Sequence, residues 1–279
     1  MGSRWKRVLV TLTGAAMATF FVGGRCGGNP KEVGADNSAF GVLQEEFEGP
    51  AGQAPDPTIW KAEVGGKGWG NNQLEFDTDR VENASLDGQC NLAIVARQES
   101  YQGNQYTSAR LVTKTLYKQQ YGRFAARIKL PSGAGMWPAF WLLGANIDAV
   151  SWPGCGEIDI MELKGQEPST IHGSAHGPGY SGGAALTGGF TLPQGARFDQ
   201  DFHVFSVDWY PDHLTYSVDD VAYQTKTVAD LGSKKWVFDH PFFIILNLAV
   251  GGDYVGPPDG NTQFPQTMLV DWVRVTSPP

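Results

Sequence analysis

The chain has 279 residues, enough for one large β domain or two small ones. Its formal net charge of -8 argues against a nucleic-acid or anionic-membrane partner, and it has no basic patch, no phosphate-cradling glycine loop and no clustered Cys/His metal site. Gly 36, Pro 17 and 12% aromatics, with no long i, i+3, i+4, i+7 apolar stripe after the N-terminus, point to short strands joined by turns.

The chain opens like an export signal. Arg4, Lys6 and Arg7 precede an apolar, small-residue run from Val8 to Val22, which is short for a membrane span; a retained N-terminal anchor is the alternative. Cys26 follows closely as a candidate lipid-attachment residue, although Arg25 before it suits that role poorly. Residues 27–40 are Gly, Asn, Pro and small polar residues and read as a linker. The expected division is a targeting segment over 1–30, a linker over 31–40 and one domain over 41–279, in a secreted, monomeric protein without a membrane span once processed. Export would also permit Cys90 and Cys155 to pair.

Strand signals then come at short spacing. Leu92–Ala96 follows the Asp87-Gly88 turn. Over Tyr121–Leu130, Phe124, Ala126, Ile128 and Leu130 share one face and Arg123, Arg127 and Lys129 the other. Met136–Leu143 is aromatic, and Ile158–Leu163 carries acids. Thr170–His176 alternates His172, Ser174 and His176 against Ile171, Gly173 and Ala175. Phe202–Trp209 and Leu214–Val218 form a hairpin closed by Pro211-Asp212, with a second turn at Asp219-Asp220. Phe242–Val250 and Met268–Val275 complete the set. This succession predicts an all-β fold, an antiparallel sandwich of jelly-roll type whose outer face becomes a groove if the sheets bend.

Residues 152–163, WPGCGEIDIMEL, are the stretch that the other motifs surround. Glu157, Asp159 and Glu162 interrupt an apolar run. On a strand Glu157 and Asp159 share a face, but the next residue on that face is Met161. One extra residue, a β-bulge around Ile160 and Met161, would bring Glu162 beside the other two. Three acids so placed repel one another and push a pKa upward, so stability alone rarely favours the arrangement. Two positioned carboxyls are the minimum for cleaving a glycosidic bond. The α-carbons of Glu157 and Glu162 would stand on the order of 13 Å apart, so the side chains must lean together to reach the roughly 5–5.5 Å of a retaining pair. Asp159 can hydrogen-bond one glutamate and separate the two pKa values.

Trp137 and Trp141 share a face of their strand, and Trp152 lies five residues before Glu157. Indoles stack on the C–H faces of sugars, although a tryptophan in a sandwich is as readily core. His176 could bond a sugar hydroxyl or a catalytic carboxyl. Asn71, Asn72 and Arg110 could bind hydroxyls, or cap turns and sit at the surface.

The segments GNNQLEF, YTSARL, YGRFAARIKLPSGAGMWPAFWLLG, WPGCGEIDIMEL, HGSAHGPGYSGG, FFIILNLAVGG and VDWVRV together resemble glycoside hydrolase family 16, within it the bacterial laminarinase-like endo-β-1,3-glucanases. The resemblance covers about residues 42–276. It implies a jelly-roll sandwich with a substrate cleft on its concave face, and retaining hydrolysis of a β-glucan with no cofactor for the chemistry. Glu157 would be the nucleophile, Glu162 the general acid/base and Asp159 the assisting carboxylate. Asn72, Arg110, Trp137, Trp141, Trp152 and His176, with Asn247 and Gln263, would line the cleft. A structural Ca2+ is implied on the convex side, on backbone oxygens of Glu46 and Gly88 and the side chain of Asp271. The chain departs from the pattern at Gln73, where relatives often carry Glu, and at Cys90, which interrupts a turn before a strand. Left open are a mixed-linkage glucanase or transglycosylase on the same scaffold, and a non-catalytic carbohydrate-binding protein.

Overall fold

The computed structural model describes residues 41–277. The targeting segment, Cys26 and the linker expected before residue 41 lie outside that range. Two sheets pack face to face. The smaller runs, in spatial order, β12 (Leu186–Thr191), β11 (Thr170–His176), β10 (Glu157–Leu163), β9 (Met136–Gly144), β16 (Phe242–Val250), β7 (Arg110–Val112) and β2 (Lys61–Glu63). The larger runs β15 (Val221–Thr227), β14 (His213–Val218), β13 (His203–Trp209), β8 (Gly122–Lys129), β17 (Gln266–Thr276), β5 (Leu92–Tyr101), β6 (Asn104–Ser108) and β3 (Glu75–Asp77), with β1 (Gly41–Glu45) on β17 and β4 (Ala84–Leu86) on β5. Among the described residues every strand pair is antiparallel except β3 with β6. This is the expected antiparallel β-sandwich.

Alternation explains which strand faces inward where. In β8 Phe124, Ala126 and Ile128 are fully buried in the main core, while Arg123 and Arg127 pair outward with Asp208 and Asp271. In β16 Phe242, Ile244, Leu246, Leu248 and Val250 enter that core. Its opposite face puts Phe243 and Ile245 in a second cluster with Val112, packed by Trp141 and Leu143. Burial on both faces is why this segment reads as one continuous apolar run. Each such side chain contributes about 1.5–3 kcal/mol on leaving water.

The hairpin between β14 and β15 turns at Asp219 and Asp220, both with positive φ, the conformation a two-residue turn matched to strand twist requires. Cys155 is a free, buried thiol and Cys90 is disulfide-bonded, so these two cysteines do not pair.

The acid strand is held at its entry by a close backbone approach. Gly144 ends β9 with its N–H donating to Gly156 O at 3.1 Å, and a Cβ there would lie 1.8 Å from the carbonyl oxygen of Cys155. Backbone cannot swing away as a side chain can. Gly144→Ala should therefore lower stability by about 1–3 kcal/mol and displace the turn that leads into β10. The urea midpoint and the turnover rate check it together.

Candidate active site

The outer face of the smaller sheet gathers the candidate residues. Along β10 the register breaks between Asp159 and Met161 against β9, and between Asp159 and Glu162 against β11. Ile160 and Met161, consecutive residues, both join the core, which is what a bulge does to a strand. Glu157 then stands opposite His176, Asp159 opposite Ser174 and Glu162 opposite His172. The bulge falls where the spacing of the acids predicts it.

His176 closes one end of the row. The backbone N–H of Gly182 donates to its Nδ1 at 3.1 Å, so the ring proton sits on Nε2. That atom is 2.9 Å from Asp159 Oδ2 and 3.7 Å from Glu157 Oε1. The approach to Asp159 is off the N–H axis, and Oδ2 has no hydrogen bond of its own. At the other end Trp137 Nε1 donates to Glu162 Oε1 at 2.9 Å. Trp152 is exposed, its ring 6.2 Å from that of His176.

Burial sets the electrostatics. It pushes Glu157 up to about 8, helped by Asp159 and opposed by His176. It pushes Asp159 to about 8. Glu162 also rises to about 8 through burial and Asp159, against the Trp137 hydrogen bond. Burial holds protons on all three, and at Glu157 and Glu162 the Asp159 charge adds to it.

A second wall runs from β9 toward β2. Trp141 Nε1 donates to Asn247 Oδ1 at 2.8 Å. The Arg110 guanidinium lies between two indoles, 4.7 Å from the ring centre of Trp141 and 4.8 Å from that of Trp69. Its Nε donates to Glu63 Oε2 at 2.6 Å. Asn72 is tied to both carboxylate oxygens of Asp253, each at 3.0 Å. Gln263 is exposed and bonds within its own loop, to Asn261 and Gln266; no contact joins it to the acids. Sequence reasoning missed Glu63, Trp69, Asp253 and Tyr254. Tyr254 packs 5.1 Å from Trp137 and meets His172. The adjacent Gly251-Gly252 pair was the available signal for a tight loop beside the site.

Among the described residues the group of acidic and histidine side chains close enough to share an ion is Glu157, Asp159 and His176, with ligand atoms within 4.8 Å of one another. An ion there would occupy Glu157 and Asp159 and leave Glu162 outside the group. On the larger sheet, Asp271 has one carboxylate oxygen on Arg127 Nη1 at 2.6 Å, and the Glu46 carboxylate is bidentate on Arg274. The expected calcium set would draw on the second carboxylate oxygen of Asp271 and on the backbone oxygens of Glu46 and Gly88. These are hard donors of the right kind, with a guanidinium competing for the carboxylate.

Comparison with known proteins agrees with this arrangement. The family model "Glycosyl hydrolases family 16" matches residues 68–274. The chain belongs to glycosyl hydrolase family 16. This family 16 chain is 41% identical over 245 residues to a beta-glucanase of Rhodothermus marinus, covering 84% of each. It superposes on the laminarinase catalytic domain of Thermotoga maritima MSB8 with a TM-score of 0.80 at 46% identity, over 85% of this chain and 97% of that one. The endo-beta-1,3-glucanase of Pyrococcus furiosus gives a TM-score of 0.80 at 46% identity, over 85% and 93%. The family 16 chain is a glycoside hydrolase, and the three acids of its β10 stand on the outer face of the smaller sheet.

The raised pKa values tie the site to stability. An acid that holds its proton more tightly folded than unfolded contributes stability below its unfolded pKa, near 4, and that contribution is lost as pH rises through about 8. Glu157→Gln removes one such acid and relieves its neighbours. Its Tm should gain on the wild type between pH 5 and pH 9 by about 2 °C or more. Scanning calorimetry at the two pH values checks the sign.

Proposed function

We propose that this family 16 enzyme is an endo-acting, retaining β-1,3-glucanase in which Glu157 is the nucleophile and Glu162 the general acid/base. The observation that carries the reading is the shared face of Glu157 and Glu162 across the β10 bulge, with Asp159 between them. Relatives named as laminarinases or endo-1,3-β-glucanases support the choice of linkage.

In this reading Glu157, ionised, attacks the anomeric carbon while protonated Glu162 gives its proton to the departing glycosidic oxygen. A glycosyl–enzyme ester forms and the shortened glucan leaves. Glu162, now a carboxylate, takes a proton from water, which attacks the same carbon and releases Glu157. Two displacements at one carbon retain the β configuration. Asp159 and His176 adjust the charge of Glu157, and the Trp137 N–H keeps Glu162 aimed at the bond. Trp141, Arg110 and Asn247 supply a stacking face and donors for neighbouring glucosyl residues, with Trp152 and Asn72 at the margins.

Reducing sugar should appear from laminarin faster than from lichenan or agarose, and the first product seen by proton NMR should be the β anomer. Glu157→Gln should abolish turnover, and Glu162→Gln should lower kcat by about 100- to 10,000-fold. A first-formed α anomer, or turnover by Glu157→Gln, would overturn the roles; no release from laminarin would overturn the linkage.

Residues 1–30 we infer to be an export signal, on their charge and apolar run. We also propose a structural Ca2+ at Glu46, Gly88 and Asp271. Added Ca2+ should then raise Tm and excess chelator reverse the rise. A Tm indifferent to both would remove the ion from the account.

A further inference from the structure

Tyr254 and His172 belong to neither the acid pair nor the Trp141–Arg110 wall, yet they enclose the Glu162 end of the cleft. Tyr254 comes from the loop after β16, where Gly251 and Gly252 both take positive φ. Two contacts fix that loop. Asp253 accepts from Asn72 and donates its own backbone N–H to Asn71 O at 2.9 Å. Gln166 Nε2 donates to Val255 O at 2.9 Å. Tyr254 is thereby held with its ring on Trp137 and the Lys164 ammonium 4.9 Å from its centre. Its hydroxyl lies 3.0 Å from His172 Nδ1.

That last contact decides what His172 can do. Burial, then Glu162, raises the Tyr254 phenol above its ordinary pKa, so the hydroxyl keeps a proton that it can donate to Nδ1. Burial and Lys164 lower His172, so the ring is neutral. A neutral imidazole that accepts at Nδ1 carries its hydrogen on Nε2. His172 is half-buried, opposite Glu162 in register, and lies across β10 from the wall formed by Trp141, Asn247 and Arg110.

We propose that His172 Nε2–H binds a hydroxyl of the glucosyl residue whose departing oxygen takes the proton of Glu162, and that Tyr254 is the positioning residue that fixes the donor tautomer. The long wall on β9, β16 and β7 engages the glucan on one side of the scissile bond. His172 engages the other, so it selects for a sugar as leaving group. This rests on the retaining glucanase reading above. A donor placed for a particular hydroxyl discriminates strongly against a substrate that lacks it.

The test compares laminarin with an aryl β-laminaribioside carrying a nitrophenolate leaving group, which places no sugar against His172. The readout is the ratio of kcat/KM for laminarin to that for the aryl substrate. Tyr254→Phe keeps the ring on Trp137 and removes only the hydroxyl. The ratio should fall about tenfold in Tyr254→Phe and in His172→Ala, and no further in the double variant, because both remove one interaction. A general loss of folding or of the acid pair lowers both substrates together and leaves the ratio unchanged; that result would overturn the proposal. So would a double variant whose ratio falls by the product of the two single effects. Wild-type activity on laminarin tests the linkage reading separately; should another β-glucan be preferred, the ratio is taken with that glucan and the expectation stands.

Discussion

Side chains alternate along a strand, and Glu157 and Glu162 are an odd number of residues apart. An unbroken β10 would send them to opposite sides of the sheet. The extra residue in the ladder removes that conflict, and the core holds it in place. Ile160 and Met161 are both buried in the main apolar cluster, so straightening the strand would turn one of them into the cleft. The same packing that stabilises the sandwich therefore fixes where the acids point. Chemistry at the surface depends on two adjacent apolar side chains beneath it.

The acids make this costly to fold. Three carboxyls lie in a row, with the Asp159 side chain 6% exposed. Further along, Glu75 and Asp77 are buried as well. Burial raises both; Arg110 opposes the rise most strongly at Asp77, which reaches about 7. Glu75 has a structural part, since its Oε2 accepts from the backbone N–H of Val250 at 2.8 Å and so anchors the end of β16 that leads to Tyr254. Arg110 is the cation shared by the acidic groups of this region. Clamped between two indoles, it cannot turn toward solvent to relieve them individually. The cleft is thus a low-dielectric wall with fixed charges, the setting in which preorganised donors act most strongly on developing charge.

Some of this was legible in the residues and some was not, for physical reasons. β8 and β11 have clean period-two alternation, and their predicted bounds match within a residue or so. β12 reads LTGGFT, and its two glycines hide the pattern. β2 and β4 are three residues each, too short to show a period. β3 pairs parallel with β6, a partnership no turn announces. Acids in an apolar run stood out because they break a burial rule. Tyr254 did not, because an aromatic after a glycine pair has no period, and its partner His172 is 82 residues away. Asn72 and Asp253, 181 residues apart, are joined only by the fold.

The division has a consequence for how the site is built. The carboxyls of β10 lie on a mostly buried strand, flanked by β9 and β11, each itself paired on both edges. Asn72, Trp152 and Tyr254 sit on loops, where substitution perturbs the core least. The sheet fixes the acids, and the loops beside them are fastened by a few hydrogen bonds. Asn72 to Asp253 is such a fastening, since it links the loop before β3 to the loop after β16. Losing it would free Tyr254 before it disturbed Glu162, and selectivity for the leaving sugar would fail ahead of bond cleavage.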